Sequence, residues 1–146
     1  MFRRTLVLGA FAGCLARLAR ADETTSIDVE IQGLRSTKGK VHVALWASAD
    51  GFLSDDKPAF QTQIMDARVP RVVLTFGGVR PGMYAISAFH DENSNGKLDK
   101  NLLGIPKEGY GFSNDARGRM GPPKFEAARF QAGPAPRTHV AFTMQY

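Results

Sequence analysis

Oxygen-bearing side chains recur at alternate positions in residues 91–99, which read Asp-Glu-Asn-Ser-Asn-Gly-Lys-Leu-Asp. This spacing matches the D-x-[DN]-x-[DN]-G pattern of calcium loops, in which the glycine allows a sharp bend between ligands. The run therefore predicts a calcium site. The expected ligands are the side-chain oxygens of Asp91, Asn93, Asn95 and Asp99 and the backbone carbonyl of Lys97.

The loop departs from a helix–loop–helix calcium site in two ways. Leu102 occupies the twelfth position, where a bidentate glutamate is expected, and the preceding residues have the composition of a strand. With only two carboxylates at its ligand positions, the loop is expected to bind calcium weakly, at roughly 10⁻⁴ to 10⁻³ M, which suits a structural ion. Further oxygens to complete the coordination are available on Asn101, Glu108 and Asp115.

An ion-free interpretation of the same residues stays open. Asn95-Gly96 is a favourable pair for a tight turn with positive φ. Asp91 and Asn93 are equally able to accept hydrogen bonds from nearby backbone groups in Asx turns.

A second group of polar and aromatic residues follows in the Gly- and Pro-bearing segment 101–124. Aromatic rings combined with amides and charges are able to line a sugar or peptide site. The candidate ligand-binding residues are Lys107, Tyr110, Phe112, Asn114 and Arg117. The alternative is that the two aromatic rings pin the segment onto the core while the charges stay solvated.

Catalytic chemistry has little support in the sequence. The histidines at 42, 90 and 139 form no close pair such as H-x-H, so we expect no zinc site. His90, paired with Lys107 or Glu108, is the one candidate acid or base for a hydrolase or lyase. No G-x-S-x-G motif accompanies it, and no catalytic residue is assigned.

The N-terminus predicts export. Arg3 and Arg4 precede an apolar stretch, and an Ala-Arg-Ala cleavage pattern ends at Ala21, so residues 1–21 are read as a signal peptide. The mature protein is then periplasmic or secreted. Phe-Ala-Gly-Cys at 11–14 offers an alternative, a lipid anchor on Cys14, and the paired arginines partly resemble a twin-arginine signal.

Removal of this segment changes the charge. The whole chain carries a net charge of +5, and the four arginines of residues 1–21 leave +1 on the mature domain. So small a charge gives no reason to expect nucleic acid binding. Residues 22–146 suffice for one domain with its own core, and they contain no cysteine and no apolar run long enough to span a bilayer.

The mature chain has the pattern of an all-β protein. Apolar and polar residues alternate in residues 26–34, 41–45, 71–76 and 140–145, and turn residues separate them. We expect a single antiparallel β-sandwich of the immunoglobulin or prealbumin type, with the first two strands paired as a hairpin. Pro81-Gly82 predicts a type II turn with positive φ at Gly82.

The residues of the calcium-like loop also carry a family resemblance. His-Asp-Glu-Asn-Ser-Asn-Gly-Lys-Leu-Asp at 90–99 is followed by Gly-Ile-Pro-Lys-Glu-Gly-Tyr-Gly-Phe-Ser-Asn at 104–114 and Gly-Pro-Pro at 121–123. From about Ile27 onward the chain resembles DUF2141, an exported bacterial family with a domain of unknown function. The resemblance implies an exported all-β domain and no particular activity.

The Pro-Gly-Met-Tyr run at 81–84 is similar to a turn of prealbumin-type and carboxypeptidase-regulatory domains. The prealbumin-like hydrolases end in Tyr-Arg-Gly-Ser, whereas this chain ends in Phe-Thr-Met-Gln-Tyr, so their chemistry is not expected here. The leading hypothesis is a non-enzymatic exported β-sandwich that is stabilised by calcium and binds an unidentified ligand, a glycan or an envelope protein. The alternatives are a carbohydrate-binding module built on segment 101–124 and a hydrolase or lyase that uses His90.

Overall fold

A computed structural model describes residues 23–146, and the predicted signal peptide with Cys14 lies outside them. Alternating apolar residues form strands as expected. The elements are β1 (Thr25–Gln32), β2 (Lys40–Trp46), β3 (Gln61–Asp66), β4 (Arg71–Val79), β5 (Gly82–Asp91), β6 (Tyr110–Phe112), a 3₁₀ turn (Ser113–Asp115), α1 (Phe125–Ala128), β7 (Phe130–Ala132) and β8 (Arg137–Thr143).

Two sheets pack face to face, which confirms the all-β sandwich. The first sheet has the strand order β4-β1-β8, and the second has the order β3-β2-β5-β6, with β7 paired to the start of β5. Most neighbours are antiparallel, but β1 and β8 run parallel. The core between the sheets takes the inward residues of each strand, among them Ile27, Ile31, Leu45, Phe76, Ile86 and Phe142, each at most 2 % exposed.

The expected hairpin of the first two strands is wrong. β1 pairs with β4 and β8 in one sheet, whereas β2 pairs with β3 and β5 in the other. Residues 33–39 therefore cross between sheets, because β1 and β2 direct their apolar faces toward the same core from opposite sides. The predicted positive φ at Gly82 is also wrong: Gly82 begins β5, and the nearby left-handed residue is Gly78, with φ +65°.

A second apolar cluster covers part of the outer face of the β2–β5 sheet. Phe112, Phe125, Ala85 and Ala128 are buried there, and Trp46 packs against them from β2. Residues 125–132 contribute one helical turn and then β7. No helix within residues 23–146 has the length and hydropathy needed to cross a membrane.

Candidate functional site

The end of β5 delivers Asp91 into the loop that follows. Its side chain is 1 % exposed. One carboxylate oxygen accepts the backbone N–H of Asn95 at 3.0 Å, and the other accepts that of Gly96 at 2.8 Å and lies 3.0 Å from His42 Nε2. The buried carboxylate thus closes the first half of the loop around itself, with Gly96 at φ +78° as the sequence pattern requires.

The two asparagines among the predicted ligands meet at Asp99. The side-chain amide nitrogens of Asn93 and Asn95 donate to the Asp99 carboxylate at 2.6 to 3.0 Å. The amide oxygen of Asn95 accepts the backbone N–H of Lys97 at 2.9 Å. The fold therefore brings Asn93, Asn95 and Asp99 together on the exposed side of the loop, and holds Asp91 beneath them.

Glu108 joins the two ends of this loop. Its carboxylate is 5 % exposed and accepts the backbone N–H of Glu92 at 2.9 Å and that of Asp99 at 3.0 Å. The sequence suggested Glu108 as one of three residues able to complete a metal shell and as a partner of His90 in catalysis. In the structure it fastens the backbone where the loop begins and ends, a role that depends on a tertiary contact no local pattern reveals.

Asn101 is engaged in the next turn rather than at the loop. Its side-chain oxygen accepts the N–H groups of Leu103 and Ile105. Asp115 accepts the N–H of Thr143 on β8. Neither residue has a hydrogen bond to the 91–99 loop.

The three histidines have different surroundings. His42 stacks on Phe89 with ring centroids 4.5 Å apart and contacts Asp91. His139 lies on the exposed face of β8, 3.7 Å from Asp28. His90 is completely buried. No cluster of three or more His, Cys, Asp or Glu side chains suited to a metal occurs in the described part of the chain.

Both ring nitrogens of His90 are occupied. Nε2 lies 2.6 Å from the Lys38 carbonyl, which only accepts, so Nε2–H is the donor. In the neutral ring Nδ1 then accepts the Tyr146 hydroxyl at 2.7 Å. Tyr146 also packs under the Arg35 guanidinium, 4.4 Å from the ring centroid, and Arg35 pairs with Glu92. His90 is therefore a buried connector with no free nitrogen to offer a substrate.

The predicted ligand-binding residues of segment 101–124 are spread over several environments. Phe112 is 8 % exposed in the second apolar cluster, and Tyr110 is half-buried beside it. The Asn114 side chain donates to the Ala127 and Arg129 carbonyls. Lys107 is exposed next to the calcium-like loop, and Arg117 reaches the Gln145 side chain. Only the two aromatic rings contact each other, with centroids 6.1 Å apart.

Two carboxyl groups of the loop have lowered pKa values. Burial raises the pKa of Asp91, but the N–H groups of Gly96 and Asn95 and the His42 ring outweigh it, and the pKa falls below its usual range. The hydrogen bond from Arg35 is the main cause of the lowered pKa of Glu92. Both groups therefore favour the folded state when ionised.

These shifts predict loss of stability in acid. Because the folded pKa values lie below the unfolded ones, the contribution is complete above about pH 5 and is lost as the pH falls through the folded values, below about pH 4. Urea unfolding at a series of pH values checks this. The Asp91→Asn variant should be less stable at neutral pH and show a shallower decline in acid. An equal slope in the variant and the parent protein would contradict the assignment.

Comparison with known proteins identifies one relationship. The profile of a family described as uncharacterized protein conserved in bacteria, DUF2141, matches residues 29–140, which include most of both sheets and the whole 91–99 loop. No curated protein and no solved structure matches the chain significantly.

Proposed function

The chain belongs to DUF2141, an uncharacterized bacterial family, and we propose that this member is an exported, non-enzymatic β-sandwich whose 91–99 loop binds calcium weakly as a structural ion. The observation that carries the proposal is the convergence of the Asn93 and Asn95 side chains on the Asp99 carboxylate. Export is inferred from the basic, apolar and small-residue order of residues 1–21.

The donor chemistry fits a hard cation. A carboxylate has about four lone-pair positions, and three protein groups contact Asp91, which leaves one position for an ion. Asp99 supplies a second carboxylate at the exposed side. Because carboxylates are few here, amide oxygens of Asn93 and Asn95 and the Lys97 carbonyl would have to complete the shell, as calcium permits.

Weak affinity follows from the same contacts. The amides of Asn93 and Asn95 donate their N–H groups to Asp99 in the ion-free loop. Calcium binding must exchange these hydrogen bonds for metal contacts. The net binding free energy is therefore only the difference between the two sets of interactions. A structural ion present at millimolar concentration outside the cytoplasm suits such a site better than a signalling switch does.

The burial of His90 supports a non-enzymatic role. Its ring is fully buried, and both nitrogens already have partners. A general acid or base must come within hydrogen-bond reach of the group it serves, directly or through one water. The Glu108 carboxylate, the other candidate for such chemistry, is committed to two backbone N–H groups.

Calcium is expected to raise the thermal unfolding midpoint. At 5 mM calcium and a dissociation constant of roughly 10⁻⁴ to 10⁻³ M, mass action adds about 1 to 2 kcal/mol, or about 3–8 °C for a domain of this size. Scanning calorimetry measures the unfolding midpoint of the protein in calcium and in chelator. Magnesium at the same concentration should have a smaller effect, since it demands a stricter octahedral shell.

Matched variants locate the effect. Asp99→Asn should abolish the calcium-dependent increase, because it removes one of the two carboxylates at ligand positions. Asp55→Asn removes one charge from an exposed position in the β2–β3 connection and should leave the increase intact. Identical midpoints of the parent protein in calcium and in chelator would refute the proposed ion.

A further inference from the structure

Residues 100–106 form a short hairpin with an apolar tip, immediately after the 91–99 loop. A bridge between Lys100 and Pro106 closes it. Leu102 is fully exposed, Leu103 is 83 % exposed and Ile105 is 56 % exposed. We propose that this 100–106 hairpin inserts its leucines into the surface of a lipid bilayer that carries anionic headgroups.

Four backbone N–H groups of the tip are already paired without water. The N–H groups of Leu103 and Ile105 both donate to the Asn101 side-chain oxygen, at 2.9 and 3.0 Å. Gly104 N–H donates to the Asn101 carbonyl, and Asn101 N–H donates to the Ile105 carbonyl. Unpaired backbone groups are the main obstacle to placing irregular chain in an apolar medium, and this tip has paired four of its donors internally.

The same hydrogen bonds fix the shape of the tip. Gly104, at φ +77°, allows the chain to reverse, and Lys107 N–H donates to the Asp99 carbonyl at the base. The leucines are therefore held outward on an ordered turn. Two adjacent aliphatic side chains that are presented in this way form a directed apolar surface, unlike single exposed apolar residues scattered over a surface.

The charges around the tip favour an anionic surface. Residues 97–107 contain three lysines, Lys97, Lys100 and Lys107, and one acidic residue, Asp99. Their net charge is therefore +2. All three lysines are exposed, and their ammonium groups form no ion pair within residues 23–146. Lysines beside an apolar tip match the two layers of a bilayer surface, with headgroups outside and acyl chains beneath.

The size and shape of the tip argue against a protein partner. A stable protein interface takes about 800 Å² from each side, and even an aromatic residue contributes only about 150–250 Å². Three aliphatic side chains on a convex hairpin fall well below that area. Insertion into a bilayer needs only enough apolar surface to make transfer of the tip into the acyl layer favourable. The surrounding lysines then keep the hairpin at the membrane interface.

The first experiment is vesicle sedimentation with the processed protein recovered from a bacterial host, its N-terminus checked by mass. Phosphatidylglycerol–phosphatidylcholine vesicles are compared with phosphatidylcholine alone, in chelator, so that the result is independent of the proposed calcium site. Binding to the anionic vesicles, weakened by high salt, is expected. Failure to bind these vesicles would overturn the proposal.

Two variants test which residues are responsible. Leu102→Ser with Leu103→Ser should reduce partitioning by about tenfold per leucine, without changing the unfolding midpoint because both side chains are exposed. Replacing the three lysines by glutamine should reduce it by about fivefold each on anionic vesicles. Unchanged partitioning of the double serine variant would refute insertion of the tip. Sedimentation velocity provides the other decisive result, because a dimer that the serine variant dissociates would assign the tip to a second copy.

A local probe reads insertion at the tip itself. Leu102→Trp keeps the tip apolar and should give a blue-shifted emission when anionic vesicles are added. Trp46, which hydrogen-bonds Ser87 and packs on Phe52, supplies a constant background measured in the parent protein. An emission spectrum that does not move on these vesicles would place residue 102 in water and exclude the proposal.

Discussion

Asp91→Ala is expected to lower the free energy of unfolding by about 2–4 kcal/mol. The carboxylate is buried and receives N–H groups from Asn95 and Gly96 as well as the contact with His42. Its pKa is lowered although burial alone would raise it, so these interactions outweigh the cost of desolvation. Removing the side chain therefore loses more stability from these interactions than it gains from avoiding the desolvation of the carboxylate.

Urea denaturation at neutral pH measures this effect. Asp55→Ala is the matched control, since it deletes an exposed carboxylate that makes no hydrogen bond within residues 23–146, and it should change stability by less than about 0.5 kcal/mol. Amide exchange adds a local reading, because the N–H groups of Asn95 and Gly96 should lose protection in Asp91→Ala. Equal stability of the two variants would show that Asp91 does not hold the loop.

The second large effect is expected for Gly39→Ala, at the crossing between the two sheets. A Cβ atom on Gly39 would lie 1.9 Å from the Asp91 carbonyl oxygen and 2.8 Å from the backbone of Glu92, and the residue has φ +69°. The obstructing atoms are backbone at the start of the calcium-like loop, so they have little freedom to move. We expect a loss above about 3 kcal/mol, a large fraction of the total stability of a typical domain.

Gly78→Ala separates steric contact from backbone strain. Gly78 has nearly the same dihedral, φ +65°, but a Cβ there meets nothing within 4 Å. This control should cost only the left-handed backbone preference, about 1 kcal/mol. Equal losses in the two variants, measured by denaturant unfolding, would contradict the close approach of Gly39 to the loop.

Local patterns predicted the parts of the fold that depend on alternation. Ile27, Val29 and Ile31 repeat with period two and are all buried as expected. The pairing of strands could not be predicted in this way, because a turn sequence such as residues 36–39 serves equally for a hairpin and for a crossing between sheets. The parallel β1–β8 pair brings together residues more than a hundred positions apart, and no local pattern specifies it.

The loop shows the same division. Spacing alone predicted that Asp91 and Gly96 belong to one turn, and the structure places them in contact. The sequence did not predict the role of Glu108 in joining the two ends of the loop, because its contacts with Glu92 and Asp99 depend on how segment 101–109 folds back. Leu102 stands where a calcium loop of the helix–loop–helix type carries a glutamate ligand. Its full exposure on an ordered hairpin instead makes it a candidate for insertion into a membrane.

The central claim is that the 91–99 loop holds calcium, and a crystal structure from buffer containing saturating calcium tests it most directly. The predicted result is an ion bound 2.3–2.6 Å from six to eight oxygens, including those of Asp91, Asn93, Asn95, Asp99 and the Lys97 carbonyl, with the two amides turned to present oxygen. A loop that instead keeps the amide nitrogens of Asn93 and Asn95 on Asp99, with no ion density between these side chains, would contradict it.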